Sequence, residues 1–539
     1  MNRFLLILFV FFLQQFFPAF AQDTSKLRVV QRIFLVGDAG EIKNNKQPVC
    51  DWLKQHVDWN DSSNTLIYLG DNIYPRGLPV EGSKSYAAAK AILDYQVSVV
   101  QGKNAKAYFV PGNHDWKEGK TGALAQVRNQ WDYISKLGLT NVQVLPGNGC
   151  PGPVQVQAGE KVVIVFMDSQ WWLQQAEKPG VESDCDCKTE DEIVTSLKDI
   201  ISAYPDKLIL LTMHHPFYTH GKHGGYFTLK QHIFPLTEAS PGLYIPLPVI
   251  GSLYPLTRGV FGNIQDTKHP QYKNMIRQVE EVMKLHPNVI HAAGHDHNLQ
   301  LLIHDSISYI VSGSGAKATQ VKKGKSSLFA EEEKGFAVVE ITAGGKVAVK
   351  FYTLASGDIQ QPVYASALND LPAPQKEMAE AAGPFPDSVT VFASGKFKSG
   401  SGRNFFLGKN YREEWKTPVR VAVINLGKEY GGLKPLKTGG GHQTKSLRLE
   451  DPTGKQYVLR IVEKSVTDAA LPPELRGTVV KDLVSDGVSA SYPFAALSVP
   501  PFAETAGVPH AKPKLVYVPD DPRLGKFRSD FANAFCLFE

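Results

Sequence analysis

The chain repeats one device, a short apolar run that breaks off into a polar cluster. RIFLVGD, TLIYLGD, KAYFVPGNHD, KVVIVFMDS, KLILLTMHH and NVIHAAGHDH each read as a strand that runs into Asp, Asn or His. Stretches of helical period lie between them, such as Ser83 to Gln101, Thr189 to Tyr204 and Gln271 to Leu285. Continuous apolar strands alternating with helices predict an α/β domain with buried, largely parallel strands. Ligand sites in such folds lie beyond the carboxyl ends of the strands, where the polar clusters stand.

A chain of 539 residues exceeds the size at which one hydrophobic core stops growing, so more than one domain is expected. The runs YIVSG, GFAVVEIT and KVAVKFY, at about 309 to 352, alternate in the manner of antiparallel strands and are expected to complete a second sheet. Beyond them the composition shifts to prolines, an Ala/Glu-rich patch at Lys376 to Ala382 and the run SGKFKSGSG, which reads as a linker. The expected division is a first domain over 28–355, a linker over 356–402 and a smaller α+β domain over 403–539. In the last segment, TGGGHQTKSLRLEDPTGKQYVLRIVEK predicts a strand, a Pro-Thr-Gly turn and another strand.

The N-terminus carries Arg3, an apolar run from Phe4 to Leu13 and the triplet Ala19-Phe20-Ala21, which predicts a secretory signal over residues 1–21. Gln14, Gln15 and Pro18 interrupt that run before it reaches spanning length. The protein is therefore expected to be exported, to the periplasm, the cell surface or the medium, with no transmembrane segment once the signal is removed. Its 5 cysteines are an odd number whose pairing the sequence does not give. The thiols of DCDC at 184–187 fit no zinc spacing and read as a loop feature. The net charge of +5 is small for this length, and without a dense Lys/Arg run interleaved with aromatics no nucleic-acid partner is expected.

Five clusters carry the chemistry: GDAG at 37–40, GDNIY at 70–74, GNHD at 112–115, MHHP at 213–216 and GHDH at 294–297. Each supplies an oxygen or imidazole donor, and the glycines let the backbone turn sharply so that several donors converge. One Asp after a strand is more often a helix cap, and one His more often a satisfied core residue. Five in order, each after an apolar strand, point to a metal site.

The set GDxG, GDxxY, GNH(D/E), HxP and GHxH resembles the calcineurin-like metallophosphoesterase superfamily, in particular its purple acid phosphatase branch. The run GHDHNLQLLIHDSISYIVSGSG is similar to that of the small, tartrate-resistant type. The resemblance covers roughly residues 30–320 and implies a four-layer αββα sandwich around a binuclear centre of Fe(III) and a divalent metal, Fe, Zn or Mn. By motif, Asp38, Asp71, Tyr74 and His297 would hold the Fe(III), with Asp71 bridging. Asn113, His214 and His295 would complete the divalent site. His214 rather than its neighbour His215 matches the position two residues before the proline. His114 and His223 match the histidines of the family that face substrate, and Asp115 is expected to orient His114.

Tyr74 bears on the metal itself. A phenolate is a hard, anionic, charge-donating ligand suited to trivalent iron, whereas zinc favours imidazole and thiolate. Two aspartates, one phenolate and a metal-bound hydroxide carry four negative charges against five positive ones, so the centre stays net positive and suits a phosphate monoester dianion. A trivalent ion depresses the pKa of its water further than a divalent one, which implies an acidic working range. The resemblance thus implies an exported acid phosphatase in which metal-bound hydroxide attacks a small phosphate monoester in line. Two other readings share the motifs: a phosphodiesterase or nucleotide hydrolase on the same metals, and a surface-assembly or binding module whose working part, with a partner the sequence does not name, is the C-terminal segment.

Overall fold

The structure is a computed structural model that describes residues 27–227, 231, 233–234, 244–247, 262–354, 361–368, 370–371, 385–397, 400, 404–405, 407–440, 444–464 and 486–539. The secretory signal expected over 1–21, and most of the stretch between Tyr226 and Pro270, lie outside the described residues.

In chain order the first domain contributes β1 (Val29–Val36), β2 (Asn64–Tyr68), β3 (Lys106–Phe109), β4 (Val142–Val144), β5 (Val154–Ala158), β6 (Val162–Phe166) and β7 (Leu208–Thr212). It continues with β8 (Val289–Ala293), β9 (Leu299–His304), β10 (Ile307–Ser312), β11 (Ser327–Glu331), β12 (Gly335–Thr342), β13 (Val347–Thr353) and β14 (Tyr364–Ala367). These form two seven-stranded sheets, β14-β13-β12-β1-β2-β3-β4 and β11-β9-β10-β8-β7-β6-β5. The central strands are parallel: β1 to β4 in the first sheet, and β6, β7, β8 and β10 in the second.

Side chains alternate between the faces of a strand, and here both faces are buried. Ile33, Leu35, Ile67, Ile164, Leu210 and Ala292 point between the sheets and share one core. Phe34, Val36, Leu66 and Tyr68 point the other way, onto the helices Pro48–His56 and Tyr86–Val97. Val163, Val165, Ile209 and Leu211 face the helices Glu190–Ala203 and Pro270–Met283. The result is the four-layer αββα sandwich of the metallophosphoesterase fold. The helices begin where capping chemistry places them: Thr189 accepts from Glu192 N ahead of three acidic residues, and His269 caps a helix that opens on Pro270.

One expectation is corrected. GFAVVEIT and KVAVKFY, as β12 and β13, join the first sheet beside β1, and only YIVSG, in β10, belongs to the second. Antiparallel alternation marks a half-exposed or edge position but does not say which sheet is extended. The choice is made by long-range pairing: Ser312 at the end of β10 donates to Leu35 O and accepts from Ala337 N, drawing β12 alongside β1.

A third seven-stranded sheet follows, built from β15 (Ser388–Val391), β16 (Val419–Val423), β17 (Lys434–Gly440), β18 (Lys445–Glu450), β19 (Gln456–Ile461), β20 (Lys514–Val518) and β21 (Ala534–Phe538). It has its own core of Leu447, Leu449, Leu459, Val518, Phe531 and Phe538. Between 356 and 402, the stretch expected as a linker, the described residues include β14 on the first sheet and β15 on the third. The third sheet meets the helix Glu190–Ala203 through polar contacts: Asp530 pairs with Lys198 at 2.7 Å and with Lys445 at 2.9 Å, and Thr438 Oγ1 donates to Asp199 at 2.6 Å. Cys150 and Cys185 form a disulfide, while Cys50, Cys187 and Cys536 are buried thiols. No described helix is long and apolar enough to cross a membrane.

Candidate metal centre

The polar clusters meet at the carboxyl ends of β1, β2, β3, β7 and β8. Close approach of these loops requires glycine at two places. A Cβ on Gly70 would stand 2.4 Å from Nδ1 of His214, and Gly70 has φ +92°. A Cβ on Gly112 would stand 2.3 Å from Asp71 N and Oδ1. The backbones of Asp38, Asp71 and His295 take φ of 57°, 52° and 70°, a left-handed conformation that L residues enter at an energetic cost.

The side chains form two groups that share Asp71. In the first, Tyr74 Oη lies 2.8 Å from Asp38 Oδ1, 3.1 Å from Asp71 Oδ2 and 3.0 Å from His297 Nε2. His297 Nε2 is 3.3 Å from Asp38 Oδ1. In the second, His214 Nε2 lies 3.0 Å from Asn113 Oδ1 and 3.3 Å from Asp71 Oδ1. His295 Nδ1 lies 3.1 Å from the same Asn113 oxygen and 3.2 Å from His214 Nε2. One carboxylate oxygen of Asp71 therefore belongs to each group.

The second group has too few hydrogens for its contacts. Nδ1 of His214 donates to Leu69 O at 2.8 Å, so in the neutral ring Nε2 carries only a lone pair. Nε2 of His295 donates to Gln265 O at 2.9 Å, so its Nδ1 is likewise a bare acceptor. With both rings neutral, two imidazole lone pairs, an amide oxygen and a carboxylate oxygen point at one another with no proton between them. Donors held at about 2.0–2.1 Å around a tetrahedral ion are separated from each other by roughly 3.3–3.4 Å, close to the spacings here. The donor set fits a metal ion. Asp38, Asp71 and His214 also place one donor atom each within 4.8 Å of one another.

The electrostatics agree. Burial pushes the Asp38 carboxyl up, against His214 and with the help of the Asp71 charge, to about 7. Burial acts on Asp71 too, but His214 and His114 draw it down to about 2. Two adjacent buried carboxylates do not both ionise without positive charge nearby. Burial lowers the His297 imidazole to about 3, helped by Lys317, and holds His295 well below the usual range together with its neighbouring histidines. These rings are neutral, the state in which imidazole binds metal. Burial and the two aspartates hold the Tyr74 phenol well above its ordinary value, so its deprotonation calls for a cation on the oxygen.

His114 flanks the first group. Its Nδ1 donates to Pro75 O at 2.6 Å, its Nε2 is 3.8 Å from Asp71 Oδ2, and its ring meets the Tyr74 ring edge-on at 4.6 Å. The role expected for Asp115 is corrected: its carboxylate does not touch His114. It accepts from the backbone N–H groups of Gly112, Asn72 and Ile73 at 2.8–3.2 Å, pinning the β2 and β3 loops together. His223 lies over His295 with ring centroids 3.9 Å apart, and its Nδ1 is 2.9 Å from Asp266 Oδ1. His215 also has a ring nitrogen within 4.8 Å of those of His214 and His295, but Ser169 Oγ and Gln265 Oε1 engage its two nitrogens at 2.8 and 2.6 Å. Trp171 and Trp172 pack in the core.

Gln265 and Asp266 escaped the sequence reading. Together they fix the outer nitrogens of His295, His215 and His223, the type of support that holds metal-binding imidazoles in one tautomer. They stand in an insertion without a motif, and only their proximity to the helix start at Pro270 hints at ordered structure. Lys317 escaped as well. Its Nζ sits 3.3 Å above the centre of the Tyr74 ring.

Residues 31–242 match the family model for calcineurin-like phosphoesterases, in keeping with the metallophosphoesterase fold of the first two sheets. Among solved structures, the chain is similar to GAP50, described as the anchor in the inner membrane complex of Plasmodium, with 15% identity, a TM-score of 0.41 and coverage of 64% of this chain and 90% of that one. The purple acid phosphatase PPD1 from yellow lupin (Lupinus luteus) seeds is 12% identical, with a TM-score of 0.38 and coverage of 63% and 54%. PhoD is 11% identical, with a TM-score of 0.39 and coverage of 62% and 68%. A comparison with curated proteins found no match.

Proposed function

We propose that the chain is an exported phosphatase of the purple acid type, hydrolysing small phosphate monoesters at a centre of Fe(III) and a divalent metal. The observation that carries this reading is the pair of donor groups joined by Asp71, one of them closed by the phenol of Tyr74. Asp38, Asp71, Tyr74 and His297 would hold the iron, and Asp71, Asn113, His214 and His295 the divalent ion. When bound, the metals supply Lewis acidity toward the phosphate and a water ionised at low pH.

The remaining chemistry belongs to the chain. His114 presents Nε2 toward the site because Pro75 O occupies its other nitrogen, and His223 is held by Asp266 in the same manner. On this reading the two imidazoles would deliver a proton to the departing alcohol oxygen, the step that limits poor leaving groups. Asp115 keeps the loops beneath them in register. The disulfide Cys150–Cys185 supports the export reading, since such bonds persist in oxidising compartments.

The test is the metal content and visible spectrum of the oxidised full-length protein. Iron together with a broad purple-to-pink band that vanishes in Tyr74→Phe is the expected result. A colourless active protein with divalent metals alone sinks the iron assignment and the acidic optimum that follows from it. Comparing rates on p-nitrophenyl phosphate and bis(p-nitrophenyl) phosphate separates a monoesterase from a diesterase.

A further inference from the structure

Lys317 follows β10 in a loop that runs beside the donor group of Asp38, Tyr74 and His297. The backbone on either side of it is fixed to the centre: Ala316 N donates to Asp38 O at 3.0 Å and Thr319 N to His297 O at 2.7 Å. The lysine is therefore set at a defined place between the chain segments of two proposed iron ligands. Its half-buried ammonium lies 3.3 Å above the Tyr74 ring, an electrostatically favourable contact that leaves all three of its N–H donors unused. Among the described residues its Nζ makes neither a hydrogen bond nor an ion pair. A lysine placed only to neutralise Asp38 or Asp71 would reach one of those carboxylates, and both instead face Tyr74, the histidines and backbone N–H groups.

We propose that Lys317 is a substrate-positioning residue that donates to a terminal oxygen of a phosphate monoester dianion and thereby favours monoesters over diesters. This deepens the phosphatase reading and rests on it. A dianion keeps three terminal oxygens in the ester, so one remains for the ammonium when others are held at the centre. A diester has one negative charge and only two such oxygens, and gains less from the same cation. The lysine and His114 flank the Tyr74 ring, so the phosphoryl group is cradled between a fixed charge and a proton carrier. Lysine suits this task as a compact point charge with three rotatable donors.

The experiment uses the full-length, metal-loaded protein and its variants Lys317→Met and Lys317→Arg, with metal content checked for each. Calorimetry gives the affinity for inorganic phosphate, and steady-state rates give KM and kcat for p-nitrophenyl phosphate and bis(p-nitrophenyl) phosphate. Lys317→Met is expected to weaken phosphate binding and raise the monoester KM, each on the order of tenfold, equivalent to about 1.4 kcal/mol. The change falls on KM more than on kcat, the diester KM hardly moves, and Lys317→Arg restores much of the loss. If Lys317→Met keeps both metals and binds phosphate as tightly as the parent, the lysine has no such role although the phosphatase reading stands. A parent protein that takes up no metal and hydrolyses neither ester brings down that reading, and the positioning role with it.

Discussion

His214 and Asn113 face each other as two acceptors, Nε2 of the ring standing 3.0 Å from Oδ1 of the amide while the ring's proton is engaged by Leu69 O on the far side. Such a contact is repulsive until something positive lies beside it. An ion that binds the folded site and not the unfolded chain stabilises the fold by about 2.7 kcal/mol at a hundred times its Kd. Chelation should therefore lower Tm, and metal return should restore it. A thermal scan with and without chelator that gives the same Tm would speak against a native ion.

Asp71 gives one oxygen to each donor group, whereas Asn113 serves only the group of His214 and His295. Asp71→Asn should strip both metals from the centre. Asn113→Ala should chiefly lower occupancy of the divalent position. Elemental analysis after gel filtration distinguishes them, and a full metal complement in Asp71→Asn would refute the sharing.

Gln265 touches no proposed substrate position, yet its side chain holds His215, whose ring packs at 4.4 Å on His295. Loss of outer support of this kind commonly costs 10-fold or more in metal affinity. Gln265→Ala should weaken binding of the divalent ion on the order of tenfold and leave the iron in place. Titration against a competing chelator measures this, and equal affinities for parent and variant would show that the loop is held by other contacts.

His291 is buried on β8 against Phe217, with ring centroids 4.3 Å apart. Burial depresses its pKa from 6.5 to about 3. The folded state thus prefers the neutral ring, a preference present in full above the unfolded value near 6.5 and lost as pH falls toward 3. The shift corresponds to roughly 4–5 kcal/mol across that window. His291→Leu should flatten the fall in stability between pH 6.5 and 3, as read from denaturant midpoints. An unchanged slope would mean that the ring is solvated in acid.

The strands and their polar ends were legible because both are local: an apolar run and a glycine next to Asp, Asn or His lie within one short window. The sandwich followed from alternation with helices. Which sheet received GFAVVEIT was not legible, because β1 and β12 are paired across the whole domain. Asp115 was misread for a related reason, since the carboxylate turns inward to the N–H groups of Asn72 and Ile73 and not toward its sequence neighbour. Gln265, Asp266 and Lys317 belong to no motif, and only folding brings them beside residues that do. The partner of Cys150 was equally hidden, because loop geometry and not spacing selects it.

Asp38, Asp71 and His295 hold left-handed backbones, and each such residue costs of order 1 kcal/mol or more. The sheets hold all three in place, so ordinary packing elsewhere underwrites the reactive geometry. Glycine at position 295 would relax the turn and remove a donor at once, emptying the divalent position. Selection for robustness alone would therefore push this chain away from reactivity, and a descendant freed from its task would have an easy downhill path to becoming an inert scaffold of the same shape.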